Sequence, residues 1–199
     1  MIDALSIRST AIPEVLTVET KWYGDERGRF SETFNADRFA DAGLPGGFIQ
    51  DNHVVSSHPG TLRGMHFQLP PHHQAKLVRV LVGRMFVAAV DVRVGSPWYG
   101  RHVGLTLSAD NRLQLFVPAG FAHGYCTLDP DTEVLYKVDR PYAPEAEGGI
   151  AWDDPDLAIS WPVPAAQLVV AERDRRWPRL ADLGAVFHHK GLGQWEPGA

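Results

Sequence analysis

"AKLVRVLVGRMFVAAVDVRV", Ala75 to Val94, is dense in β-branched and aliphatic residues and is broken once, by Gly83. It reads as two strands around a turn at that glycine. Its second half alternates, with Phe86, Ala88, Val90 and Val92 on one side and Val87, Ala89, Asp91 and Arg93 on the other. Working outward, "HVGLTLS" (His102–Ser108), "LQLFVP" (Leu113–Pro118) and "EVLYKV" (Glu133–Val138) continue the pattern, so strands dominate from about Gln50 to Val138. The 19 glycines and 15 prolines are spread through the chain, as turns between many short strands require. The expectation is a mainly β protein, a sandwich or a barrel such as a jelly roll. "NADRFADAG" is the clearest helix, capped by Asn35 and ended by Gly43, and a second short helix is expected over "RLADLG" (Arg179–Gly184). "YGDERGRFSE" (Tyr23–Glu32) reads as a turn tip at Asp25–Gly28 between strand residues. After Pro141 the chain turns irregular, and "GLGQWEPGA" (Gly191–Ala199) reads as a frayed tail.

At 199 residues the chain suits one domain with a sizeable core. With 44% hydrophobic and 22% charged residues it is an ordinary globular composition. A formal charge of −5 argues against nucleic acid as a partner, so any phosphate site must be a local cluster of cations. The single Cys126 leaves no intrachain disulfide and fits a reducing, cytoplasmic compartment. No signal peptide and no run long enough to span a membrane are read.

The chemistry-bearing residues cluster around "TLRGMHFQ", Thr61 to Gln68. His66 can exchange a proton near neutral pH, although a histidine bonded within a sheet is the plainer reading. Arg63 lies three positions earlier, on the opposite face of a regular strand, so a shared pocket needs a bend, expected at Gly64. Lys76 shares a face with Val78 and Val80. Inward, it needs a partner or a place at a cavity mouth; outward, it is a surface lysine. "PAGFAHGY" (Pro118–Tyr125) resembles the second half-motif of metal cupins, but the His-x-His of the first half is missing, so no metal is expected. Tyr136 and Tyr142 are either packing residues or an acid, and Asp174 in "ERD" is either a solvated turn or the carboxylate that orients a histidine.

Together these stretches resemble one family. "DERGRFSETF", "FIQDNHVVS", "GTLRGMHFQ", "QAKLVRVLVG", "VDVRVGSPWYG", "VPAGFAHGY", "LYKVDRPYAPEAEGGIAWDDPDLAISWP" and "AERD" occur in the order seen in the dTDP-4-dehydrorhamnose 3,5-epimerases, from about residue 20 to 183. The resemblance implies a cupin-type jelly-roll barrel with a few short peripheral helices, one domain over 1–199 with 183–199 as a peripheral tail. It implies no cofactor, and a homodimer with exchanged N-terminal strands. It implies His66 as base, Asp174 as its orienting carboxylate, Tyr136 as the opposing acid and Lys76 beside the substrate carbonyl. Nucleotide contacts to a dTDP-sugar are implied for Arg27, Glu32, Gln50, Asn52, Arg63, His123 and Glu147, a substrate contact for Asp51, and a sugar pocket shaped by Tyr142. Arg173 stands where the family commonly has lysine, so a point donor becomes a planar fork. The implied reaction is epimerisation at C3 and C5 of a 4-keto-6-deoxy sugar. Epimerisation at one carbon alone, or sugar-nucleotide binding without catalysis, are the rival expectations.

Overall fold

The computed structural model describes residues 5–189. In chain order the strands are β1 (Leu5–Ser9), β2 (Leu16–Thr20), β3 (Tyr23–Asp25), β4 (Gly28–Phe30), β5 (Gln50–Ser56), β6 (Thr61–Gln68), β7 (Lys76–Val82), β8 (Arg84–Asp91), β9 (Arg93–Val94), β10 (His102–Ser108), β11 (Gln114–Val117), β12 (Phe121–Thr127), β13 (Thr132–Val138), β14 (Glu147–Gly149), β15 (Val169–Val170) and β16 (Phe187–His188). One sheet runs β1-β2-β11-β7-β13-β5 and the other β10-β8-β12-β6-β14, with β15 added in parallel to β6. The two sheets face each other as the halves of the expected jelly-roll barrel, a layering that buries one face of each sheet against the other.

Gly83 has a positive φ of 76° and turns the chain as expected, but the strands it joins do not pair with each other. β7 lies in the first sheet and β8 in the second, so the turn carries the chain across the barrel. Val78 and Val80 meet Met85, Val87, Ala89, Leu115, Tyr125 and Val134 in the interior. Ala88 and Val90 on the alternate side of β8, with Val92 just past its end, are also buried, under Ile150, Leu157, Leu180 and Phe187. The irregular chain after Pro141 is therefore an outer layer over the second sheet, which is why β8 is apolar on both faces. Each such side chain contributes about 1.5–3 kcal/mol of burial.

The helix α1 (Ala36–Asp41) is short, and the Asn35 side chain accepts the Arg38 N–H as its N-cap. Phe39 of α1, with Leu44, covers Val18, Leu77 and Phe116 on the outside of the first sheet. Over "RLADLG" only a 3-10 turn forms, Leu180–Asp182. The described part of the C-terminal tail packs onto the outer layer. β16 pairs with β9, and Phe187 packs edge-on against Phe67 at 5.4 Å between ring centres, since the outer layer still has apolar surface to cover there. Gly191–Ala199 lie outside the described residues. Among the described residues no helix is long and apolar enough to cross a membrane.

Candidate active site

The site forms where β6 departs from regular pairing. His66 stands opposite His123 and Arg63 opposite Tyr125, so two residues of β6, Gly64 and Met65, face Gly124 alone. The extra residue resets the alternation. Leu62 and Met65, three apart, both enter the outer layer, which leaves His66 and the exposed Arg63 together on the other side of the strand. The bend is at Gly64, as expected from the sequence: its φ is +140°, and a Cβ there would stand 2.5 Å from the Gly124 Cα.

His66 Nε2 is 2.8 Å from Oδ1 of Asp174, a carboxylate whose side chain is 2% exposed. The 3-10 turn Glu172–Arg175 delivers Asp174 to that position, and its Oδ2 accepts the Gly64 N–H at 3.2 Å. Burial alone would raise the Asp174 pKa, but the hydrogen bond and charge of His66, with the Gly64 N–H, outweigh it and hold the carboxyl below its usual range. An ionised Asp174 accepts Nε2–H and leaves Nδ1 as the nitrogen able to take a proton. The Trp177 ring stands edge-on to the imidazole, 6.1 Å between centres.

Tyr136 comes from the other sheet. It follows the interior Val134 by two on β13 and packs against the same interior cluster. Its pKa is raised by burial, which the Arg63 charge partly opposes, so the phenol stays protonated at neutral pH. Lys76 points inward with Val78 and Val80, and burial lowers its pKa to about 8 against the opposing charge of Glu147. His123 is 7% exposed and its Nε2 has no hydrogen-bond partner among the described residues. Burial first, then the charges of Lys76 and His66, hold its pKa well below the usual imidazole value, so it is neutral. It sits beside the proton-handling groups rather than out on a rim.

His66, Tyr136 and Lys76 open onto a cavity of about 320 Å³ lined also by Gln50, Asn52, Phe67, Gln68, Gln74, Tyr142, Glu147 and Arg173. Ligand pockets span about 300–1,000 Å³, so this one takes a group the size of a sugar ring and leaves a larger appendage over the rim. Tyr142 rides on the segment 139–143. Gln68 Nε2 donates to the His72 carbonyl at 2.6 Å and the Pro141 carbonyl at 3.2 Å, while its Oε1 accepts the Ala143 N–H at 2.8 Å. Gln74 donates to the carbonyls of Arg140 at 2.8 Å and Pro141 at 3.2 Å. Asp139 anchors the start by accepting the Ala75 N–H at 2.7 Å. The Tyr142 hydroxyl then lies 3.4 Å from Glu147, whose same oxygen is 3.4 Å from Arg173.

Of the expected contact residues, Asp51, Arg27, Glu32, Arg63 and His123 do not line this cavity. Asp51 lies between Gln50 and Asn52 on β5, so alternation turns it outward, where Lys137 Nζ holds it at 2.8 Å. Arg27 is at the tip of the exposed β3–β4 hairpin, paired with Asp25, and Glu32 pairs with Arg38 at 2.8 Å. Arg63 does not line the cavity but lies near enough for its charge to act on Tyr125 and Tyr136. Sequence reasoning missed Gln68, Gln74 and Trp177. Gln68 is two residues past His66 on the same strand, a parity signal that could have flagged it; Gln74 and Trp177 carried none. Among the described residues no group of three or more His, Cys, Asp or Glu gathers as metal ligands would.

The model of the family described as dTDP-4-dehydrorhamnose 3,5-epimerase matches residues 9–182. A dTDP-4-dehydrorhamnose 3,5-epimerase from Sinorhizobium fredii is 45% identical over 188 residues, 94% of this chain and 96% of that protein. One from Pseudomonas aeruginosa is 47% identical over 173 residues, 86% of this chain and 94% of the relative. Among solved structures, a dTDP-6-deoxy-D-glucose-3,5-epimerase from Legionella pneumophila, in complex with dTDP-4-keto-L-rhamnose, superposes with a TM-score of 0.89 at 40% identity, covering 94% of this chain and all of that one.

Proposed function

Since the chain belongs to the dTDP-4-dehydrorhamnose 3,5-epimerase family, we propose that it converts dTDP-4-dehydro-6-deoxy-D-glucose to dTDP-4-dehydro-L-rhamnose by inverting C3 and C5. The observation that carries the residue assignment is the facing arrangement of the site: His66, held by Asp174 of the adjoining 3-10 turn, comes from one sheet and Tyr136 from the other.

The C4 ketone acidifies the hydrogens on both neighbouring carbons. His66 Nδ1 takes the proton from C3 or C5, and the bonding pair moves into the ring to place negative charge on the C4 oxygen. Asp174 holds the imidazole in the required tautomer and balances the imidazolium. Lys76, cationic below its pKa of about 8, stabilises the enolate oxygen. Its lowered pKa also makes it a willing hydrogen-bond donor at neutral pH. Tyr136 delivers a proton to the enolate carbon on the opposite face as the C4 oxygen pair re-forms the ketone, and the cycle closes when the imidazolium gives up its proton to solvent and the phenolate takes one from it. The two carbons flank the ketone almost symmetrically, so one base and one acid serve both after a shift of the ring. Gln50, Asn52, Glu147, Tyr142 and Arg173 are assigned to seating the sugar, and Arg63 to the diphosphate, where a guanidinium bonds phosphate oxygens in pairs. His123 is assigned to the sugar end of the site, beside Lys76, rather than to the nucleotide.

The same proposal includes a cytoplasmic homodimer that exchanges N-terminal structure. β1 and β2 pair within the chain, so the element suited to exchange is the β3–β4 hairpin, whose Phe30 is 67% exposed and whose tip carries Arg27. Mixed dimers of His66→Ala and Arg27→Ala chains regain activity if the hairpin reaches the partner's site. The test of the whole reading is proton NMR of the purified chain with dTDP-4-dehydro-6-deoxy-D-glucose. Inversion at both carbons is the expected result, and inversion at one alone, or none, overturns it.

A further inference from the structure

We infer that Gln68 and Gln74 form a positioning clamp that fixes the segment 139–143 and thereby seats Tyr142 over the cavity. This rests on the epimerase reading for its kinetic consequence, though not for the clamp itself. Gln68 lines the cavity and is 4% exposed, yet its amide is turned into the protein rather than toward a ligand. Both Nε2 hydrogens go to carbonyls, of His72 and Pro141, and the Oε1 accepts from Ala143, so the amide brackets Tyr142 on both sides in sequence. Gln74 adds the Arg140 carbonyl and a second bond to Pro141. The segment itself has no regular secondary structure from 139 to 143, and Tyr142 is 51% exposed, so packing alone does not hold its ring.

The geometry also ties the seat to the base. Gln68 and His66 lie on the same side of β6, two residues apart, so the strand that positions the imidazole also positions the Tyr142 loop. Sugar ring and proton acceptor are thereby referred to one element. Neither glutamine touches the reacting atoms in this assignment; they act through Tyr142.

The clamp has two tests on the full-length protein. In Gln68→Met, amide hydrogen exchange at Ala143 and Tyr142 accelerates by about tenfold or more while β12 and β13 keep their protection. Unchanged exchange across 139–143 overturns the clamp. In kinetics, Gln68→Met lowers kcat on the keto sugar by about tenfold, and dTDP affinity stays within about twofold, because the nucleotide lies outside the clamp. Tyr142→Ala is the reference background. Adding Gln68→Met to it costs no more than about twofold further, since the side chain being positioned is already gone. A full tenfold loss in that background would show that Gln68 acts by another route. Gln74→Met, at a more exposed position, gives the same pattern at about three- to fivefold and carries both tests if Gln68→Met does not fold. A wild-type chain that leaves the keto sugar untouched would defeat the epimerase reading, and the exchange measurement would still decide the clamp.

Discussion

Replacing Asp174 with asparagine tests the dyad in a way its geometry makes unusually sharp. The two carboxylate oxygens have two different donors, His66 Nε2–H at 2.8 Å and Gly64 N–H at 3.2 Å, and the side chain is almost fully buried. Asparagine has one acceptor for two donors. If its oxygen serves His66, its amide hydrogens confront the Gly64 N–H. If its oxygen serves Gly64, its amide donates to Nε2, the imidazole proton moves to Nδ1, and the nitrogen facing the substrate can no longer accept. The first arrangement loses a charge-assisted bond of about 1.5–3 kcal/mol, or roughly ten- to 150-fold in rate, and strands a buried donor. The second removes the base, whose contribution is about 10²–10⁴-fold. The expected loss in kcat is therefore about 10²–10⁴-fold, with dTDP affinity unchanged. The assay is proton NMR in D₂O, following exchange at C3 and C5, and nitrogen NMR of His66 reads the tautomer directly. A folded Asp174→Asn that exchanges C3 and C5 hydrogens within about threefold of wild type would refute the role of Asp174 in orienting the base.

Tyr136→Phe should keep hydrogen exchange at C3 or C5 in D₂O while forming little inverted product; near-normal inversion would remove Tyr136 as the acid. Lys76, with its pKa lowered to about 8, should give kcat an alkaline limb that falls above that pH, and Lys76→Met should be slow at every pH and lack the limb. Its contribution to stability runs the other way: from about pH 8 to its ordinary 10.5 the unfolded chain holds a proton that the folded chain has lost, so stability rises with pH across that window, as denaturant titrations at several pH values will read. Gly64→Ala, with a Cβ 2.5 Å from the Gly124 Cα and a φ of +140°, should cost about 2–4 kcal/mol in urea unfolding; a loss below about 1 kcal/mol would mean the backbone there adapts.

The strands were legible because their signal is local. Val78 and Val80, or Phe86 and Ala88, announce alternation without reference to anything distant. What alternation cannot say is which sheet receives a strand: the turn at Gly83 was readable, but not that it sends β7 and β8 to different sheets. The same limit governed Lys76, whose face was readable but whose inward direction depended on the partner sheet. His66 and Arg63 required a bend, and Gly64 was the residue able to make it, so that part of the site was written in the strand itself. Asp51 came from the resemblance, though strict alternation against Gln50 and Asn52 already assigns it to the other face. Arg27 and Glu32 came from resemblance alone, and the chain's own cavity does not contain them. Gln68 and Gln74 escaped notice because their partners are backbone carbonyls, which no side-chain pattern records.

Base and acid hang from opposite walls of the barrel, and this makes the thickness of its hydrophobic filling a chemical parameter. Facing sheets stand about 10 Å apart, a spacing set by the side chains between them. Val78, Val80, Leu115 and Val134 thus act as a gauge block for the gap across which His66 and Tyr136 work, although none of them meets the sugar. A methylene added or removed there changes the stroke of the proton delivery while leaving every polar group of the site in its own strand. Removal of the proton sets His66 on one wall against Lys76 on the other, and return of a proton adds Tyr136 on the wall of Lys76, so both half-reactions span the gap. Core volume is therefore a dial on the whole proton transfer, one that can be turned without altering a single ionisable residue.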